Sequence, residues 1–401
     1  MVSQNVAVLP SGLELAYTDS GAVSGSSNYT TLILVHGCGF NARTFETLHD
    51  HAATFNLRTI AFQRRDYPGS TPFTDDEITE IQQGSEEYLS KTQNMMIDFI
   101  RYVVEKLSIP AIWKLSGQEA GKLDGGIALL GWSLGSYFPL ALFSNPERVT
   151  PESRKILGKY LRSLIIYDSP YVALGFPLPS IKPSAGEEES VSPSDFPAAV
   201  SSYFDQPDNW AGDLDQLDQR SKTEKNIWSD WTEEQRNKYV TMSTLLRCEF
   251  PTFAGPIQAH FLKNTQKALY DETLAQEYLP DLSIGVLSVG RTLWYCRWMM
   301  WHLVQTNREK LDEGKKIREL KTAHLQQYSH LAHMEDPVLF LVQRYKMQSC
   351  CVLGFWSFFV PFKEPRILTL SERNVKSKWL SWLSSAGRVG KFPDRRSVIQ
   401  H

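Results

Sequence analysis

Three short clusters in the 401-residue chain carry side chains able to do chemistry. The first is Gly131-Trp132-Ser133-Leu134-Gly135, a G-x-S-x-G pentapeptide. It follows the apolar run 126–131 (GIALLG) and precedes a helix-like stretch over 137–143, so the spacing predicts a strand, a sharp turn and a helix. Small residues relieve crowding at such a turn and let the Ser133 hydroxyl project above a sheet as a nucleophile. An ordinary strand-to-helix turn with Ser133 as N-cap is the alternative. The second cluster, His36-Gly37-Cys38-Gly39-Phe40, directly follows the apolar run 31–35 (TLILV). A backbone N–H from this loop, together with that of Leu134, would hold an oxyanion. Cys38 is the expected donor, Gly39 its nearest competitor, and the Cys38 side chain a small apolar filler. His36 is expected to bond its own loop. The third cluster is Ser329-His330-Leu331-Ala332-His333-Met334-Glu335-Asp336-Pro337. His330 is expected to be the base for Ser133, while His333, one turn on, packs or caps the helix that Glu335 and Pro337 begin.

The elements that must position these residues are legible as patterns. A strand pair is predicted at 5–9 and 13–18, split by Pro10-Ser11-Gly12. Continuous apolar runs at 31–35 and 126–131 read as parallel strands buried on both faces. Further strands are predicted at 56–63, 161–167, 282–289 and 317–326, and a long helix at 85–107. The alternation implies a mostly parallel sheet with helices on both faces, an α/β architecture. It breaks after Pro170. Residues 171–280, with Pro/Ser-rich loops and Trp210, Trp228 and Trp231, are read as a helical lid between two parts of one core, 1–170 and 281–345, followed by a C-terminal extension, 346–401.

Taken together and in this order, the three clusters resemble the α/β-hydrolase superfamily over about residues 5–345. The flavour of Arg64–Pro72 (RRDYPGSTP) and of the LGWSLGSY turn is similar to fungal members. The resemblance implies a lidded hydrolase using Ser133, His330 and an acid, without cofactor or metal. Its usual acid follows the strand at 282–289, but Gly290-Arg291-Thr292-Leu293-Trp294-Tyr295-Cys296 contains none. Asp168, at the end of 161–167, is the expected substitute, as in some hydrolases of this fold; a loop-capping Asp is the alternative. Asp281 would begin its strand at the wrong edge. A serine rather than an aspartate at the turn argues against the carboxylate-nucleophile chemistry of epoxide hydrolases and dehalogenases.

The implied reaction is hydrolysis of an ester, thioester or lactone of a hydrophobic small molecule. C–C bond cleavage, or acyl transfer and cyclisation in fungal secondary metabolism, would use the same site. A ligand-binding protein on a degenerate scaffold is the alternative from another class. Gly37, Gly39, Trp132 and Trp294 are expected around the substrate; Arg64, Arg65 and Asp66 read as an internally salt-bridged loop. Forty-two basic against 45 acidic residues give a net charge of −3 and no electrostatic case for nucleic acid. Five cysteines without ligand spacing argue against a disulfide framework or zinc site. No run is long enough to span a bilayer, the start lacks a signal-peptide pattern, and a cytoplasmic protein is expected. The apolar run 352–362 is expected to pack on the domain.

Overall fold

The computed structural model describes residues 3–114, 123–179, 192–253 and 255–349. Eight strands form one sheet: β1 (Gln4–Val8), β2 (Glu14–Asp19), β3 (Thr30–Val35), β4 (Leu57–Phe62), β5 (Ile127–Trp132), β6 (Leu161–Tyr167), β7 (Ser283–Val289) and β8 (Leu320–Leu325). Their order is β1-β2-β4-β3-β5-β6-β7-β8, with only the β1/β2 and β2/β4 pairs antiparallel. This is the mostly parallel sheet expected from the alternation of apolar runs and helices. The central strands are buried at every residue, because helices cover both faces.

Alternate residues of each strand feed two cores. Ile33, Leu129, Ile166 and Val286 pack under α2 (Glu87–Leu107), α3 (Pro151–Tyr160) and α4 (Trp294–Asp312). Leu34, Leu130, Trp132 and Leu287 pack under α1 (Glu46–Ala52) and α5 (Pro337–Ser349), through Leu48, Phe340 and Leu341. β8 starts later than the apolar pattern suggests. Arg318 has turned inward there to donate to the carbonyls of Leu274 (2.8 Å) and Tyr278 (2.5 Å).

Between β6 and β7 the described residues form helices and loops but no strand of the sheet. The longest of these helices is Ile257–Tyr270; the single π-helical turn Leu245–Glu249 reaches back towards the loop after β3. An isolated bridge, Phe40↔Val240, ties the same loop to this connection. The expectations for 352–362 and for the C-terminal tail fall outside the described residues. Among the described residues no helix is long and apolar enough to cross a membrane.

Candidate active site

Ser133 follows the last residue of β5 and adopts φ 54°, a left-handed conformation that costs a non-glycine residue energy and aims its side chain off the strand end. Both flanking glycines are required by contact. A Cβ on Gly131 would lie 2.5 Å from the Gly135 carbonyl oxygen, and one on Gly135 would lie 2.4 Å from that of His36. The turn is thus pressed between its own helix and the start of the His36 loop. A sheet of this strand order with a strained serine at the end of its fifth strand settles the architecture. The chain has the α/β-hydrolase fold.

In this hydrolase fold His330 sits in the loop after β8, buried with 1 % of its surface exposed. Its carbonyl accepts from Trp132 Nε1 (3.0 Å) and from the Tyr167 hydroxyl (3.1 Å), so the ends of β5 and β6 fix its backbone. Its Nδ1 lies 2.6 Å from Asp168 Oδ2. Asp168 is fully buried, at φ 42°, and its N–H donates to the Leu287 carbonyl of β7 (2.8 Å). The structure therefore pairs His330 with the acid at the end of β6. A residue missed in the sequence completes the pair: Thr292 donates its hydroxyl to the same Oδ2 (2.6 Å). The segment that lacks an acid thus supplies a hydroxyl that orients one. Among the described residues no hydrogen bond joins Ser133 Oγ to His330; such bonds commonly tighten only on substrate binding.

Asp168, His330 and Cys296 each bring one ligand atom within 4.8 Å of the others. The Oδ2 of that group is already shared by His330 and Thr292. Burial, reinforced by Asp168, pushes the Cys296 thiol well above its ordinary pKa and keeps it protonated. Cys38, Cys248 and Cys296 are free and buried.

The loop after β3 lies against the turn. A Cβ on Gly37 would meet Ser133 Cβ at 3.0 Å. The Gly39 N–H is already engaged, because it donates to Tyr67 Oη (3.0 Å) and Glu249 Oε2 (2.9 Å). Of the loop's two candidate N–H groups, this leaves that of Cys38. Leu134 has a first-turn N–H, which has no partner within its helix. Burial, with Glu249 beside it, pushes the Cys38 thiol up as well.

One pocket expectation needs correction. Trp132 is fully buried on the α1/α5 face, among Phe40, Phe45 and Tyr167, and positions His330 rather than touching substrate. Strand alternation explains the error: the residue before Ser133 must point to one of the two packed faces. Trp294 belongs to the opposite core, which also holds Cys38 and Leu134, and lies edge-on to Tyr295. It is Tyr295 whose hydroxyl lies within electrostatic reach of Cys38, Cys296 and Asp168. Arg64, Arg65 and Asp66 are internally paired, with Glu249, Glu77 and Arg247 respectively. A cavity of about 310 Å³ opens beside the turn, lined by Leu134, Tyr137, Phe138, Tyr88, Arg64 and Glu249.

His333 packs as expected, between Phe45, Trp132 and Phe340. Burial pushes its pKa well below the ordinary 6.5, with His330 adding to the effect. The same holds for His36, through burial and then Arg64, and His324 is pushed down to about 4, through burial and then Arg297. These imidazoles stay neutral in the folded chain but take up protons once unfolded, so stability is complete above about pH 6.5 and falls as pH drops below it. Melting temperature is expected to decline steadily between about pH 6.5 and pH 5, before most carboxylates titrate. A flat profile there, read by thermal melts, would contradict the buried neutral histidines.

No protein-family profile matches the chain, and no curated protein does either. Solved structures do. A laboratory-evolved variant of potato epoxide hydrolase is 13% identical, with a TM-score of 0.46, over 86% of this chain and 98% of that one. A Vigna radiata epoxide hydrolase mutant is 11% identical, with a TM-score of 0.48 and the same coverage. The N-formylmaleamic acid deformylase of Pseudomonas putida is 12% identical, with a TM-score of 0.43, over 85% of this chain and 100% of that one.

Proposed function

We propose that the protein is a serine hydrolase that cleaves an ester, thioester or lactone of a hydrophobic small molecule through an acyl-enzyme. The observation that carries this reading is the buried bond of 2.6 Å between His330 Nδ1 and Asp168 Oδ2, assembled beside a strained serine. Ser133 Oγ attacks the substrate carbonyl as His330 Nε2 takes its proton. The oxyanion accepts from the N–H groups of Cys38 and Leu134. The tetrahedral intermediate collapses, the C–O or C–S bond to the leaving group breaks, and the imidazolium returns the proton to that group. Water, deprotonated by His330, then releases the acid and restores Ser133. Asp168 holds the His330 tautomer with the proton on Nδ1 and faces the imidazolium as it forms.

The helical connection between β6 and β7 is read as a lid over this site, and the half-buried aromatics Tyr171, Phe196 and Tyr295 suit an apolar acyl group. Serine at the turn favours an acyl-enzyme over the alkyl-enzyme that a carboxylate nucleophile would form. The test is labelling with a compact alkyl fluorophosphonate, followed by intact mass. Wild type is expected to gain one adduct, on Ser133, with none on Ser133→Ala and very slow labelling of His330→Ala. A folded wild-type protein that never gains the adduct overturns the reading.

A further inference from the structure

The loop that carries the proposed oxyanion donor is gripped on both sides of Cys38 by one buried ion pair. Arg64, in the loop after β4, donates from Nη2 to the Gly37 carbonyl oxygen (2.8 Å) and pairs through the same nitrogen with Glu249. Glu249 ends the π-helical turn in the β6–β7 connection. Its other oxygen accepts from the Gly39 N–H and from the Tyr67 hydroxyl (both 2.9 Å). Arg64 and Glu249 are 4 % and 3 % exposed. His36 adds a second contact to the Gly37 oxygen: its Nε2 accepts the Arg64 backbone N–H (3.1 Å), which leaves Nδ1 protonated to donate at 3.0 Å.

The consequence lies in a single peptide plane. The carbonyl of Gly37 and the N–H of Cys38 belong to the same peptide unit, and the chain has no cis bond among the described residues. In a trans unit those two groups point in opposite directions. Arg64 therefore fixes the direction of the Cys38 N–H by holding the far end of its plane, while Glu249 stops the following residue from swivelling. Were the plane to turn over, the Gly37 oxygen would face the developing oxyanion and repel it.

We propose that Arg64 and Glu249 are positioning residues that orient the Cys38 N–H for the oxyanion, so that a competent site requires the β6–β7 connection to be docked on the loop. This rests on the serine-hydrolase reading above. Arg64 is suited to the task because the two N–H groups of its Nη2 are fixed in one plane, one for the Gly37 oxygen and one for Glu249, a directionality that a freely rotating lysine ammonium lacks. Nothing in it calls for Arg64 or Glu249 to touch the substrate.

The test compares wild type with Arg64→Lys, Arg64→Ala and the double variant Arg64→Met with Glu249→Gln. The double variant removes both charges, so neither is left buried and alone. Fluorophosphonate labelling of Ser133 is expected to slow on the order of 10²-fold in the double variant, the usual effect of losing one oxyanion donor. Arg64→Lys should fall between it and wild type. Millimolar guanidinium, which can enter through the cavity Arg64 lines, should restore labelling to Arg64→Ala but not to the double variant. A merely structural role would lower the melting temperature without that selective rescue. Crystal structures of wild type and the double variant supply the independent readout. Wild-type labelling at full rate in the folded double variant, or an unturned Gly37–Cys38 plane in its crystal structure, overturns the inference. Failure of the wild type itself to label overturns the serine-hydrolase reading instead, and the orientation of the plane is still decided by crystallography.

Discussion

Replacing Asp168 with Asn is expected to lower turnover, and labelling of Ser133, by roughly 10³- to 10⁴-fold while leaving the protein folded. The carboxylate is fully buried, and its Oδ2 receives both His330 Nδ1 and the Thr292 hydroxyl. An amide can answer this arrangement in two ways, and both are poor. If its NH₂ faces His330, the imidazole must place its own proton on Nε2, where it cannot accept one from Ser133. If its oxygen faces His330, the tautomer is right, but no negative charge remains to stabilise the imidazolium. In the second case the NH₂ takes the place of Oδ1, which has no hydrogen-bond partner among the described residues. Thr292→Val, which removes one hydrogen bond to the charged group, should cost about ten- to a hundredfold. Steady-state kinetics on any ester the wild type accepts would check both. An Asp168→Asn variant as active as wild type would mean that another group orients His330.

A large loss of stability is expected for Gly135→Ala. An alanine there puts its Cβ 2.4 Å from the His36 oxygen and 2.7 Å from the Val35 oxygen. Both are backbone atoms, at the end of β3 and in the loop beyond, so no side chain can rotate away. Either the turn or the edge of β3 must move, and β3 is held by β4 and β5 on both sides. A loss above about 4 kcal/mol follows, seen as insoluble expression or a melting temperature lowered by roughly ten degrees or more. Gly158 is the control. It is exposed on α3, and a Cβ there would meet nothing within 4 Å. Gly158→Ala should gain about 0.5–1 kcal/mol from helix propensity alone. Equal melting temperatures for the two variants would show that the turn tolerates a shift the contacts forbid.

What the sequence disclosed follows from what is local. β3, β5 and β6 announce themselves because a strand buried on both faces is apolar over most of its length, with few exceptions such as Thr31 in β3 and Arg162 in β6. Ser133 and His330 could be proposed from the sequence because a strand-turn-helix pattern and a late histidine occur in the order this fold requires. Asp168 was legible only by elimination, once the residues after β7 proved to hold no acid. The failures are matters of direction and distance. Trp132 lies at the expected chain position, but which way an aromatic side chain points depends on the packing of both faces. Glu249 gave no signal, since its partners at Gly39, Arg64 and Tyr67 are brought to it by a connection whose helices follow no strand alternation. Thr292 was hidden by its ordinariness: a hydroxyl gains significance only when a carboxylate from another strand arrives beside it.

Trp132 and Tyr167 are paired across β5 and β6, and Ser133 and Asp168 each follow immediately, both in left-handed conformations. One rung of one strand pair therefore dictates how far apart the proposed nucleophile and the proposed acid can be. The long excursion from Tyr171 to Leu282 leaves the sheet after that rung and returns on the far side of β6. Insertions, deletions and changes of sequence along it can accumulate without altering the nucleophile–acid spacing. In this chain the spacing of the proposed nucleophile and acid is inherited with the ladder, whereas the excursion is free to diversify wherever it does not touch the His36 loop, the Thr292 segment that Gln206 holds or the Glu335 that Tyr203 holds.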